Sequence, residues 1–107
     1  MSRVKITVLK TEHYPELAEE YLADGDPGPC PEHQVGDVYY YEDGADKPEG
    51  LCPWAWLEMY RAVFSVSDEA KNEWYKPGVR VQCCTDAVRP VTFELRLERE
   101  PERAPDL

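Results

Sequence analysis

The stretch RVKITVL, residues 3–9, decides the class of fold, because its polar and apolar side chains alternate strictly. Successive side chains of an extended chain point to opposite faces, so Val4, Ile6 and Val8 share one face. The pattern predicts a β-strand with one face buried. Residues 91–97 (VTFELRL) alternate in the same way and predict a second strand of this kind.

Outward from these two strands, turn-forming residues divide the chain into further short elements. Residues 38–42 (VYYYE) are rich in β-formers and predict a strand. Residues 79–83 (VRVQC) follow the turn Pro77-Gly78 and predict another, with its two valines facing the core. Residues 15–21 carry apolar side chains at helical spacing and predict a short helix that stops before a Gly/Pro-rich loop.

The principal helix is predicted to begin at Pro53, because proline suits the first helical position and apolar residues then recur at helical spacing. Glu58 and Arg61 lie towards the opposite side. The face predicted to pack on the sheet consists of Trp56, Tyr60, Val63 and Phe64.

The element order β-α-β-α-β-β predicts a small single-domain α+β fold, mainly an antiparallel sheet with one principal helix packed on it. This domain is expected to span residues 1–98. Residues 99–107 are charged, contain proline and carry no apolar stripe, so they are predicted to form a disordered tail.

The charge balance excludes two classes of partner. Twelve basic against twenty-two acidic residues give a formal net charge of -10, which repels nucleic acid and anionic membrane surfaces. No apolar run reaches the roughly 20 residues needed to cross a bilayer, and the first residues lack the apolar stretch of a secretion signal. We therefore expect a cytoplasmic protein whose cysteines are free thiols or metal thiolates.

The four cysteines are candidate metal ligands, with zinc or iron as the candidate metals. None of their spacings forms the CxxC knuckle of a zinc ribbon. The loop Cys30-Pro31-Glu32-His33 offers a thiol and an imidazole, although a single loop histidine is more often simply exposed. The predicted ligand set is Cys30, Cys52, Cys83 and Cys84.

Cys52 directly precedes Pro53 and is therefore predicted to be the N-cap of the principal helix. The backbone N–H groups and the helix dipole stabilise a thiolate at that position, which makes Cys52 a candidate nucleophile. The alternative is a small buried residue that packs beneath Trp54 or Trp56.

Cys83 and Cys84 end a predicted strand, where adjacent side chains point to opposite faces. One is expected to join the valines of the strand in the core, and the other to face outward with Arg80 and Gln82. Cys84 is the candidate catalytic thiol of the pair, with Asp86 and Arg89 as a candidate acid and anion contact. The alternative is that Asp86 begins a hairpin turn and Arg89 pairs with it.

The tryptophans are candidate walls of a pocket for a flat organic cofactor or ligand, with Trp54 and Trp56 as the leading members. The alternatives are that they belong to the core or form a homo-oligomer interface. Trp54 is predicted to be the exposed member, since it lies some way round the helix from Trp56.

Two segments, EGLCPWAW (49–56) and CCTDAVRPV (83–91), resemble signatures of a family of short prokaryotic proteins that has no assigned activity. The similarity covers residues 3–98. Ala87 departs from the family pattern, where glycine is usual, and Pro53 is an addition. The resemblance implies shared positions without roles, namely Cys30, Cys52, Trp54, Trp56, Cys83, Cys84, Asp86 and Arg89.

Three functions compete on this sequence: a metal or metallocofactor site, a thiol-dependent enzyme or redox protein, and a non-catalytic module that binds a small molecule or forms a homo-oligomer. The first two require Cys52 to lie at the same end of the sheet as Cys83 or Cys84. That arrangement depends on the direction in which the principal helix crosses the sheet.

Overall fold

The computed structural model describes residues 2–42, 46–68 and 72–99, and these form the predicted α+β fold. Four strands make one antiparallel sheet in the order β2-β1-β4-β3. The elements are β1 (Ser2–Thr11), α1 (Pro15–Tyr21), β2 (Val38–Glu42), α2 (Pro53–Ser67), β3 (Val79–Cys83) and β4 (Val91–Arg99).

The two strictly alternating strands pair with each other at the centre of the sheet. Val4, Ile6 and Val8 of β1 lie opposite Leu97, Leu95 and Phe93 of β4, respectively. Paired residues of an antiparallel sheet point to the same face, so these side chains form one apolar surface. Phe93 and Leu95 are fully buried, as are the three β1 residues. Each such burial stabilises the fold by roughly 1.5–3 kcal/mol.

Helix α2 covers this surface with a face centred on Met59, which is fully buried. The predicted core face is therefore correct at Val63 and wrong at Tyr60 and Phe64, which are 48% and 51% exposed. Small side chains let the helix approach the sheet closely on the side that was not predicted. The residues of α2 that are buried are Ala55, Met59, Ala62, Val63 and Val66.

Helix α2 runs opposite to β3. At the helix start the Cys52 N–H donates to His33, whose ring meets Phe93, the sheet partner of Gln82. Near the helix C-terminus Val66 lines a cavity with Val79 and Leu97. The N-terminus of α2 therefore lies at the end of the sheet where β3 terminates.

The register of β3 reverses the predicted orientation of its side chains. Arg80 pairs with Leu95 and Gln82 with Phe93, so these two polar residues lie on the face that α2 covers. Val81 is 43% exposed on the open face. Because β3 is an edge strand, the polar residues remain accessible at the side of the helix, and an inward charge at an edge also discourages pairing with another chain.

No helix among the described residues is long and apolar enough to cross a membrane. Strand β4 continues to Arg99, one residue into the predicted tail. Residues 100–107, the rest of that tail, lie outside the described residues, as does the predicted turn at Asp43 and Gly44.

Candidate functional site

Cys52 is the N-cap of α2, as its position before Pro53 predicts. Its backbone is extended (φ -56°, ψ 128°), and its carbonyl oxygen accepts the first helical hydrogen bond from the N–H of Trp56 at 2.9 Å. The thiol makes no capping hydrogen bond. The side chain is half-buried and packs against the core, at the helix end whose first N–H groups have no helical partner.

His33 contacts the start of α2, a position that its place in the Cys30–His33 loop does not predict. It was expected to be exposed, but only 3% of its surface is accessible. Its Nε2 accepts a hydrogen bond from the backbone N–H of Cys52 at 3.3 Å, so Nδ1 carries the proton and donates to the Tyr39 hydroxyl at 3.0 Å. Its ring also meets the edge of Phe93, with 5.4 Å between centroids. The only signal in the sequence is its place in the Cys30-Pro31-Glu32-His33 loop.

Burial lowers the pKa of His33, against the opposing influence of the Asp37 and Glu32 carboxylates. The same burial, followed by those two carboxylates, raises the pKa of the Tyr39 hydroxyl. His33 is therefore neutral at pH 7, as its accepting Nε2 requires. In this state it fixes the position of the α2 N-terminus.

Cys84 packs against the same core as Cys52 and is half-buried. Its N–H donates to the Val91 carbonyl at 3.0 Å, and the Val91 N–H donates to its sulfur at 3.3 Å. The thiol thus occupies the place that a backbone carbonyl would take in a regular ladder. Cys30 is also half-buried and packs on this core.

Cys83 differs from the other thiols because it is exposed on the open face of the sheet, with Val79 and Val81. The predicted arrangement is therefore reversed: Cys84 packs against the core and Cys83 faces outward. The partial burial of Cys83 raises the pKa of its thiol, and the neighbouring Cys84 thiol raises it further.

Asp86 and Arg89 form the pairing that the turn interpretation predicts. The Asp86 carboxylate accepts hydrogen bonds from the backbone N–H groups of Val88 and Arg89 and from the Arg89 Nε, each at 3.0 Å. Partial burial opposes ionisation, but these hydrogen bonds outweigh it and lower the pKa of Asp86. Both side chains hold the β3–β4 connection in place, and their predicted catalytic role stays a prediction.

The four cysteines are unpaired. Within residues 2–42, 46–68 and 72–99, no three or more His, Cys, Asp and Glu side chains are arranged to hold a metal ion. The predicted zinc or iron site at Cys30, Cys52, Cys83 and Cys84 therefore finds no preformed ligand set in the described part of the chain.

The side of α2 that points away from the sheet is apolar, and we call it the outer face. Trp54 and Leu57 are each 67% exposed, and Tyr60 and Phe64 complete this face. Trp54 is exposed as predicted. Trp56 instead turns towards the sheet edge, where its ring lies 5.6 Å from that of Tyr41. The two tryptophans proposed as pocket walls thus belong to different sides of the helix.

Comparison with family models, curated proteins and solved structures finds no match to this chain. The resemblance carried by the two cysteine-containing segments stays a prediction. A proposal of function therefore rests on the geometry of the described residues.

Proposed function

We propose that the protein performs thiol chemistry at Cys52, with Cys84 as its second thiol. The observation that carries the proposal is the position of Cys52 as N-cap of α2, with a thiol that makes no capping hydrogen bond. Both thiols pack against one core cluster and both are half-buried.

The first turn of α2 supplies the electrostatic support for a thiolate. Its N–H groups lack helical partners, and the positive end of the helix dipole favours a negative charge by about 0.3–1 kcal/mol. His33 does not act as a base in this arrangement, because its Nε2 already accepts from the Cys52 N–H. It acts as a positioning residue that holds the helix start.

The chemistry that fits two thiols is thiol–disulfide exchange with a small disulfide substrate. The Cys52 thiolate attacks one sulfur of the substrate and releases the other as a thiolate, which leaves a mixed disulfide on Cys52. The Cys84 thiolate then attacks the Cys52 sulfur and releases the second half of the substrate. The substrate gains two electrons, the protein becomes a Cys52–Cys84 disulfide, and the two thiol protons pass to the released thiolates.

Alkylation of the native protein by iodoacetamide at pH 7, with each site followed by peptide mass spectrometry, tests the first step. If exposure alone governed the rate, the exposed Cys83 would react first. We expect Cys52 to react at least several-fold faster than Cys83, whose pKa is raised. Faster alkylation of Cys83 would refute the proposal.

Reaction with an aromatic disulfide such as 5,5′-dithiobis(2-nitrobenzoate) tests the second step. We expect the Cys30→Ser variant, the matched control, to release two thiolates per Cys52–Cys84 disulfide formed. The Cys84→Ser variant should retain one nitrothiobenzoate on Cys52, visible by intact mass. A Cys52→Ser variant that exchanges at the wild-type rate would contradict the assignment. Stoichiometric zinc or iron that protects Cys52 from alkylation would instead favour the metal site.

A second candidate function, assembly of the chain with a second copy of itself, is favoured by the outer face of α2. A patch of exposed apolar side chains on one face of a helix marks a surface for interaction with another protein. The four side chains of this face expose on the order of 350–600 Å², taking about 150–250 Å² for each whole side chain. With surrounding residues, that approaches the roughly 800 Å² per partner of a stable interface.

Charge complementarity selects a second copy as the occupant. Glu58 and Arg61 are exposed on the same flank of the outer face, three residues apart. Two α2 helices can pack antiparallel through their outer faces about a two-fold axis. When this axis crosses the helix midway between positions 58 and 61, Glu58 of each copy lies beside Arg61 of the other. The net charge of -10 opposes association, so salt should strengthen it.

Light scattering across a concentration series tests assembly. We expect a dimer that Leu57→Glu converts to monomer, whereas Trp74→Glu leaves it intact, since Trp74 is 92% exposed but does not belong to α2. A monomeric wild-type protein in both low and high salt, or equal effects of the two substitutions, would rule out this interface.

A further inference from the structure

A cavity of about 750 Å³ lies at the C-terminal end of α2, away from Cys52. Val66 of the helix forms one side, Lys76 and Pro77 of the loop before β3 form another, and Leu97 closes it from β4. Cavities of roughly 300–1,000 Å³ are the size that small-molecule ligands occupy. None of the described residues that line this cavity is a cysteine, so the cavity is distinct from the thiol site.

The charged residues that line the cavity are mainly basic, although the protein as a whole is acidic. Among the described residues that line it, Glu73 is the one acid, although acidic residues outnumber basic ones by twenty-two to twelve in the chain. The basic residues that line it are Lys76, Arg80, Arg96 and Arg99. A concentration of cations within an acidic protein focuses a positive potential at this one place.

Arg80 is the basic residue of the cavity on which the proposal depends. It is half-buried on the helix-covered face of β3, and within the described ranges the structure gives its guanidinium neither a hydrogen bond nor an ion pair. Arg96, by contrast, is held by Glu94 at 2.9 and 3.2 Å. Partial burial of an uncompensated cation is unfavourable, and a bound anion would offset that cost.

The other walls determine the kind of anion. Val66, Pro77, Val79 and Leu97 give the cavity apolar surface beside the cations. We propose that it binds a small organic carboxylate, with the acid group on Arg80 and the apolar body against Val66 and Leu97. A guanidinium presents two parallel N–H donors that match a carboxylate. This site does not depend on the thiol chemistry or on assembly through α2.

Isothermal titration with three probes separates charge from shape: 2-naphthoate, the neutral 2-naphthamide and inorganic phosphate. We expect 2-naphthoate to bind at least tenfold more tightly than the amide or phosphate. The Arg80→Gln substitution should weaken naphthoate binding at least tenfold. The matched control Arg3→Gln, which removes an exposed arginine from β1 outside this cavity, should leave it unchanged.

Backbone amide chemical shifts locate the ligand. Naphthoate should move the signals of Gly78 and Leu97, and leave that of Cys52 in place. The proposal is overturned if the wild-type protein does not bind naphthoate, or if the Arg80→Gln variant binds it with equal affinity. A variant that aggregates but retains its affinity for naphthoate would also overturn it, and would show that Arg80 only protects the sheet edge. If Arg80→Gln does not fold, Lys76→Gln is tested in its place. Naphthoate binding by that variant with wild-type affinity would also overturn the proposal.

Discussion

Acidification should destabilise this protein through His33, a prediction that follows from the geometry at the start of α2. In the folded state Nε2 accepts from the Cys52 N–H, and protonation of that nitrogen abolishes the acceptor. Burial is the leading cause that lowers the pKa of His33 in the folded protein. In the unfolded chain the pKa of the imidazole returns to about 6.5.

The sign follows from proton binding. Below the unfolded pKa, the unfolded chain holds a proton at His33 that the folded protein lacks, so the free energy of unfolding decreases as the pH falls. The contribution is complete above pH 6.5 and is lost as the pH falls from there towards the folded pKa. The slope is at most about 1.4 kcal/mol per pH unit. A drop from pH 6.5 to 5.5 should therefore cost at most about 1 kcal/mol, or about 4 °C in Tm for a domain of this size.

The assay is urea unfolding between pH 7.5 and 5.0 for the wild-type protein and the variant His33→Gln. Glutamine can accept from the Cys52 N–H but does not titrate, so subtracting its profile removes the contributions of carboxylates and of His13. The difference should be flat above pH 7 and fall below pH 6.5. Parallel profiles for the two proteins would refute the proposed role of His33.

Three further predictions test the core, the β3–β4 connection and the register of β3. Met59→Ala should lower the free energy of urea unfolding by about 2–5 kcal/mol, because the residue is fully buried at the centre of the helix–sheet contact; a loss below 1 kcal/mol would contradict that packing. Asp86→Ala should cost about 1–3 kcal/mol by leaving two backbone N–H groups and Arg89 without their acceptor, and Asp86→Asn should recover part of it; an unchanged Tm in both would contradict the capping role. Val81→Thr should change stability by less than about 0.5 kcal/mol while Val63→Thr costs more than about 1 kcal/mol, and the reverse order in thermal unfolding would refute the register that exposes Val81.

The candidate site was partly accessible from the sequence. The N-cap position of Cys52 follows from the chemistry of the adjacent Pro53, since proline fits the first helical turn and little else within a helix. The half-buried state of Cys84 and the neutral imidazole of His33 did not follow. His33 lies nineteen positions from Cys52, and no local pattern encodes a hydrogen bond across that separation.

The amino-acid sequence by itself determined where the strands and helices lie, because alternation, helical spacing and Gly/Pro punctuation act over a few neighbouring residues. The tertiary structure alone decided which faces of α2 and β3 are buried. Val81 and Arg80 exchange their expected faces because β3 takes its register from β4, and Tyr60 points outward because Met59 and the small residues of α2 meet the sheet. These choices are made by contacts between distant parts of the chain, where the free energy of packing outweighs local preference.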